Sequence, residues 1–124
     1  MRRYTVDGRG VRSFDDFVAA MNAGFIRPAG GLWNGNLDAF NDYLSWPDDV
    51  EYELELLGAG NCIGSLGHEA QAEWLRTHIR TCHPSAVADM RSRLERAEAS
   101  EGETLFDAIR EIVTANPHVH LMLR

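Results

Sequence analysis

Each stretch of this chain that reads as a β-strand is separated from the next by at least two helical segments, and that order excludes most small folds. The strands are Tyr4-Thr5-Val6, closed by the turn signal Asp7-Gly8, then Tyr52 to Leu57, then the alternation Val119, Leu121, Leu123. A hairpin needs neighbouring strands joined by a few residues, and no pair of strands here is that close. Long helical connections instead favour parallel pairing through right-handed crossovers. The order β-α-α-β-α-α-α-β therefore predicts a small α/β domain with a three-stranded parallel sheet. At 124 residues the chain can bury one real core but not two, so residues 1–124 are expected to form a single domain.

The helices are marked by caps and by apolar spacing. Ser13, with Asp16 three residues on, predicts a short-armed capping box ahead of the stripe Phe14, Phe17, Val18, Met21, and Gly24 reads as the C-terminal stop. A loop through Pro28 and Gly30-Gly31 leads to a second helix ended by Pro47-Asp48-Asp49. Tyr52 to Leu57 alternates with Glu53 and Glu55, giving one apolar and one more polar face. Gly58-Ala59-Gly60-Asn61 reads as the opening of a loop. His68 to about Cys82 predicts a helix with Trp74, Leu75 and Ile79 inward, and Pro84 suits the first turn of another carrying Val87, Met90, Leu94 and Ala97. Ser100 to Glu103 is a polar break. Thr104 to Ala115 predicts the last helix, with Leu105, Ala108, Ile109 and Ile112 inward, and Asn116-Pro117 ends it.

Composition narrows the partners. The net charge is -7, there is no lysine, and the arginines are scattered, which argues against direct nucleic-acid binding. An acidic balance suits a basic protein surface or a basic small ligand. The start Met1-Arg2-Arg3 is followed by no apolar run, so neither a secretory signal nor a membrane span is expected. Cys62 and Cys82 are expected as free thiols in a reducing cytoplasm.

The most informative stretch runs from Gly30 to Trp46. Asn34-Gly35 signals a turn, Trp33 looks like an exposed loop aromatic, and Asn36 offers a helix N-cap. Leu37, Phe40 and Leu44 form an apolar stripe, while Asp38, Asn41, Asp42 and Ser45 form the opposite face. Asp38 benefits from the helix dipole, but Asp42 lies one turn further on and repels it. A cationic partner would relieve that repulsion. The plain alternative is a solvated helix face.

The run Gly35-Asn36-Leu37-Asp38-Ala39-Phe40-Asn41-Asp42-Tyr43-Leu44-Ser45 resembles the signature of the barstar family, intracellular inhibitors of secreted microbial ribonucleases. Tyr4 to Val18 is similar to the family's first strand and helix, and Thr104 to Leu123 to its last helix and strand. The resemblance covers about two-thirds of the chain in the right order. It implies a three-stranded parallel sheet packed with helices, an acidic helix and preceding loop that plug a nuclease active site, and no cofactor. By position, Asp42 matches the aspartate that enters the phosphate-binding part of the nuclease. Asp38 and Glu111 match further acidic contacts, and Leu32, Trp33, Asn36 and Ser45 occupy the same surface. Asn41 stands where the prototype has a tryptophan, and Leu32 where an aromatic is common. Gly58 to Glu101 exceeds or replaces a shorter helical segment and reads as an extra helical insertion. The implied partner is a secreted guanyl-specific ribonuclease, bound one to one by an inhibitor that is monomeric when free.

Two other chemistries compete with this reading. Asp38 and Asp42 have the spacing of paired carboxylates, but no nucleophile motif or phosphate-cradling glycine loop accompanies them, so an enzyme is not expected. His118 with His120, and His78 with Cys82, each supply half of a metal site at most, so no metal is expected. A third reading keeps the fold but changes the target: a binding module for a protein other than a nuclease.

Overall fold

The computed structural model describes residues 1–124. Strand β1 (Arg2–Asp7) leads to α1 (Phe14–Met21), which continues as a wide π-turn over Asn22–Ile26, and then to α2 (Leu37–Tyr43). Strand β2 (Tyr52–Leu57) is followed by α3 (Ala59–Ser65), α4 (His68–His78), a single 3-10 turn at Pro84–Ala86, α5 (Val87–Glu98) and α6 (Leu105–Thr114), before β3 (Val119–Leu123). The strands lie in the order β1-β2-β3 and both pairings are parallel, as the connection lengths required. The chain is a small single α/β domain with three parallel strands and six α-helices. No helix is long and apolar enough to cross a membrane.

Both crossovers step one strand in the same direction, and crossovers of one hand then lay their helices on one face. The burial pattern agrees. Tyr4 and Val6 of β1, Tyr52, Leu54 and Leu56 of β2 and Val119 of β3 point into the core, in register with one another. They meet Phe17, Met21, Phe25, Phe40, Ile109 and Val113 from the helices in a single cluster. The alternate residues form a polar face. There Arg3 Nε reaches Glu53 at 2.8 Å, and Glu55 is approached by Arg3 at 3.6 Å and by Arg124 at 3.4 Å. A smaller core of Ala72, Leu75 and Ala97, flanked by Met90 and Leu94, joins α4 to α5.

Several local expectations change. Gly24 does not end α1; it sits inside the π-turn, where an added Cβ would lie 2.3 Å from the Thr5 carbonyl oxygen. The glycine is there for close approach to β1. Gly58 to Asn61 is not a loop either. Gly58 takes a left-handed conformation (φ +67°) that starts α3, and Asn61 Nδ2 donates to the carbonyls of Gly8 and Val11 at 2.9 and 2.6 Å. Ser13 caps α1 as expected, but the Asp16 carboxylate accepts from the N–H of Arg12, one residue too early for a reciprocal box. The reciprocal box is at α6, between Thr104 and Asp107. Helix α4 stops at His78 rather than Cys82, and Phe106 and Val113 join the core face of α6 while Ile112 is only half-buried. Both cysteines are free.

Candidate protein-binding surface around the acidic helix

Helix α2 is two turns long, too short to be stable alone. Its position comes from four sets of contacts. Phe40 and Leu44 are fully buried and anchor its inner face. At its start, the Asn36 side chain accepts from the N–H of Ala39 at 2.9 Å, and Asn34 Oδ1 accepts from the N–H of Asn36 at 3.0 Å. At its end, the Leu44 carbonyl accepts from the Tyr52 hydroxyl and from His118 Nε2, the latter at 2.9 Å. That bond requires the proton on Nε2 of His118. From the side, Asn116 Nδ2 of the α6–β3 loop donates to Asn41 Oδ1 at 3.0 Å.

The loop before α2 is held just as closely. The buried Asn22 amide grips the Trp33 backbone from both sides, accepting from its N–H at 2.7 Å and donating to its carbonyl at 2.8 Å. Trp33 is therefore not an exposed loop aromatic. Its ring is 2% exposed, packs against Phe14, Phe17 and Phe40, and donates its indole N–H to the Asn36 carbonyl at 2.7 Å. The contact role expected of Trp33 is corrected accordingly: it shapes the loop from beneath. A buried indole needs a partner for its N–H, and the Asn36 carbonyl supplies it. Gly31 lies flat against the Tyr43 ring, whose hydroxyl donates to the Leu32 carbonyl at 2.9 Å.

This frame leaves Leu32, Asn36, Asp38, Asn41, Asp42 and Ser45 exposed on the loop and outer face of α2. Glu111 is exposed on α6, the helix that α2 touches. None of Asp38, Asp42 and Glu111 has a cation within 4.0 Å, whereas Glu53 and Glu55 on the sheet are paired. The result is a rigid, unneutralised acceptor surface: it can receive charge-assisted hydrogen bonds from Arg or Lys without first breaking an internal ion pair.

Two aromatics that the residue pattern did not single out adjoin this surface. Trp46 is 49% exposed, and its ring packs edge-on against Tyr43 with centroids 4.7 Å apart. The positioning pair Tyr52 and His118 was also missed, since nothing in the sequence ties a strand tyrosine to a helix end.

The histidines and cysteines disperse. His118 is bound to Leu44, His120 Nε2 lies 3.3 Å from Glu51, His78 donates to the Trp74 carbonyl, and Cys82 faces the Ile79 carbonyl. No three His, Cys, Asp or Glu side chains converge in a way that could hold a metal ion. A cleft of about 620 Å³ lies beyond the loop that precedes α2, between Ser13 at the start of α1, the Asn34–Asn36 loop and the Glu69, Glu73 and Trp74 side of α4. Its walls are mostly polar. Compared with known proteins, the chain matches no family model, no curated sequence and no solved structure.

Proposed function

We propose that this protein is a barstar-type inhibitor of a secreted microbial ribonuclease of the guanyl-specific kind, binding one to one and blocking the active site with α2 and the loop before it. The observation that carries the reading is the exposed, unpaired carboxylates Asp38 and Asp42, on a helix whose backbone is tied down at both ends, with Glu111 exposed on the helix that α2 touches. A ribonuclease site stabilises a multiply charged phosphoryl transition state and is lined with cationic donors. A carboxylate fixed on a helix takes the phosphate's place there and cannot be cleaved. Pre-organisation lowers the ordering cost of binding, and opposite charge speeds encounter. The protein itself needs neither cofactor nor contact with RNA, and it acts in the cytoplasm, as a monomer until it meets leaked nuclease.

The test is a titration into a small secreted guanyl-specific ribonuclease, following RNA cleavage. Wild type should give a sharp endpoint near one equivalent. Asp42→Ala should lose about 3 kcal/mol or more of binding, over a hundredfold in Kd, the range measured for close charge pairs in nuclease–inhibitor interfaces, the family prototype's included. Asp38→Ala and Glu111→Ala should each lose about 1 kcal/mol. Equal inhibition by wild type and Asp42→Ala would refute the assignment.

One observation favours a second reading, a barstar-fold module aimed at a different protein. Helix α4, from the region without counterpart in the family pattern, walls a polar cleft that shares the Asn34–Asn36 loop with the candidate surface. Wild type that leaves ribonuclease untouched but captures another basic protein through Asp42 would select it.

A further inference from the structure

We infer that Trp46, seated on Tyr43, is the aromatic anchor of the partner interface: it packs against the cationic rim of the nuclease active site that Asp42 engages. The inference rests on the inhibitor reading and adds to it a residue and a contact chemistry.

The three tryptophans of the chain are used differently. Trp33 is buried with its indole N–H bonded, and Trp74 is half-buried and stacked on the His78 ring, centroids 4.0 Å apart. Trp46 alone leaves about half its surface in water, at 49% exposure, and its indole N–H makes no hydrogen bond within the protein. It is nonetheless held. The N–H of Trp46 donates to the Tyr43 carbonyl at 3.0 Å and that of Ser45 to the Asp42 carbonyl at 3.1 Å, so the chain keeps its helical sense past the end of α2. Tyr43 is fixed in turn by the flat approach of Gly31 and by its bond to the Leu32 carbonyl. Leu32, at 65% exposure, continues the apolar surface on the far side of Tyr43.

The two bonds past α2 reach back three residues, so Trp46 stacks over Tyr43, the residue next to Asp42 in the chain. A cationic rim drawn to the Asp42 carboxylate brings its further basic side chains over the Tyr43–Trp46 pair, and an indole face attracts such a cation more strongly than any other side-chain ring. The surroundings are polar and acidic: Asn41, Asp42 and Ser45 are all exposed. A rigid, half-exposed aromatic centre with a polar rim is the anatomy of an interface hot spot. Charge complementarity selects the occupant, since a cationic rim is drawn to this patch and an acidic one is repelled.

The experiment is a titration of the guanyl-specific ribonuclease with wild type, Trp46→Ala, Trp46→Phe and Asp42→Ala, with acrylamide quenching of fluorescence before and after complex formation. Because the ring is exposed, Trp46→Ala should keep its circular dichroism and melting temperature. It should raise Kd about 100-fold, the range of a truncated hot spot, while Trp46→Phe raises it less than about tenfold. The quenchable component present in wild type and absent from Trp46→Phe should vanish in the complex. Unchanged inhibition by Trp46→Ala, or an indole still quenchable in the inhibitory complex, overturns the anchor. If Asp42→Ala fails while Trp46→Ala inhibits normally, the inhibitor stands without its anchor. If wild type does not bind the nuclease, both fall.

Discussion

The Leu44 carbonyl oxygen is where the sheet takes hold of the acidic helix. It accepts two hydrogen bonds, one from the Tyr52 hydroxyl and one from His118, and it ends a helix that has no basic residue in its last turn. Burial pushes the Tyr52 phenol well above its ordinary range, with Tyr4 and Asp49 adding to the effect, so it stays a donor through neutral pH. A group whose pKa is raised by folding contributes stability that is whole below its unfolded pKa and declines as pH rises past it. Melting temperature should therefore hold near neutrality and fall above about pH 10, the free phenol's range. In Tyr52→Phe that alkaline decline should be shallower, and stability at pH 7 should be lower by about 1 kcal/mol, one net hydrogen bond. Parallel alkaline melting curves for the two proteins would refute the assignment. Residues of this kind are the least legible in sequence. Trp33 and Trp46 flank the same helix and look alike as letters. What sends one into the core and leaves the other on the surface is a distant amide, Asn22, which grips the Trp33 backbone.

At the scale of elements, much more could be read. The strands, the Asn36 and Thr104 helix starts and the core faces of α1, α2 and α6 follow from capping chemistry and apolar spacing, and the structure keeps them. The candidate surface was legible for the same reason, because Asp38, Asn41, Asp42 and Ser45 oppose the stripe of Phe40 and Leu44. The misreadings are glycines. Gly24 and Gly58 read as punctuation because a glycine's common local use is a helix stop or a loop. The long-range use of Gly24, close approach to another element, leaves no local trace. That use is testable. An added methyl at Gly24 would have to displace β1 backbone, with the Thr5 oxygen 2.3 Å and the Val6 Cα 2.9 Å from it. Gly24→Ala should cost about 2–3 kcal/mol as an overpacked contact, although alanine is the better helix former. A stabilised Gly24→Ala in chemical denaturation would return Gly24 to the role of a simple helix terminator.

On the whole molecule, two groups of carboxylates have different tasks. Those on the open face of the sheet are neutralised in place, Glu53 by Arg3 and Glu55 by Arg3 and Arg124, and they hold strands together. Asp38 and Asp42 on α2 and Glu111 on α6 have no internal cation, so the net charge of -7 is expressed in part as a field from one face. The two populations should respond differently to salt. Exposed ion pairs contribute little, so screening them should barely move the melting temperature. The outward field acts over the Debye length, about 10 Å at 0.1 M salt and about 3 Å at 1 M, and its loss removes steering. The association rate with the proposed ribonuclease partner should therefore fall by about tenfold or more between 0.05 and 0.5 M salt, with the dissociation rate nearly constant. Asp38→Asn with Glu111→Gln should flatten that dependence, because these carboxylates carry the field rather than the central contact. Stopped-flow mixing measures both rates directly. A rate indifferent to salt would mean that the unpaired face does not guide the encounter, and the charge of the molecule would then need another explanation.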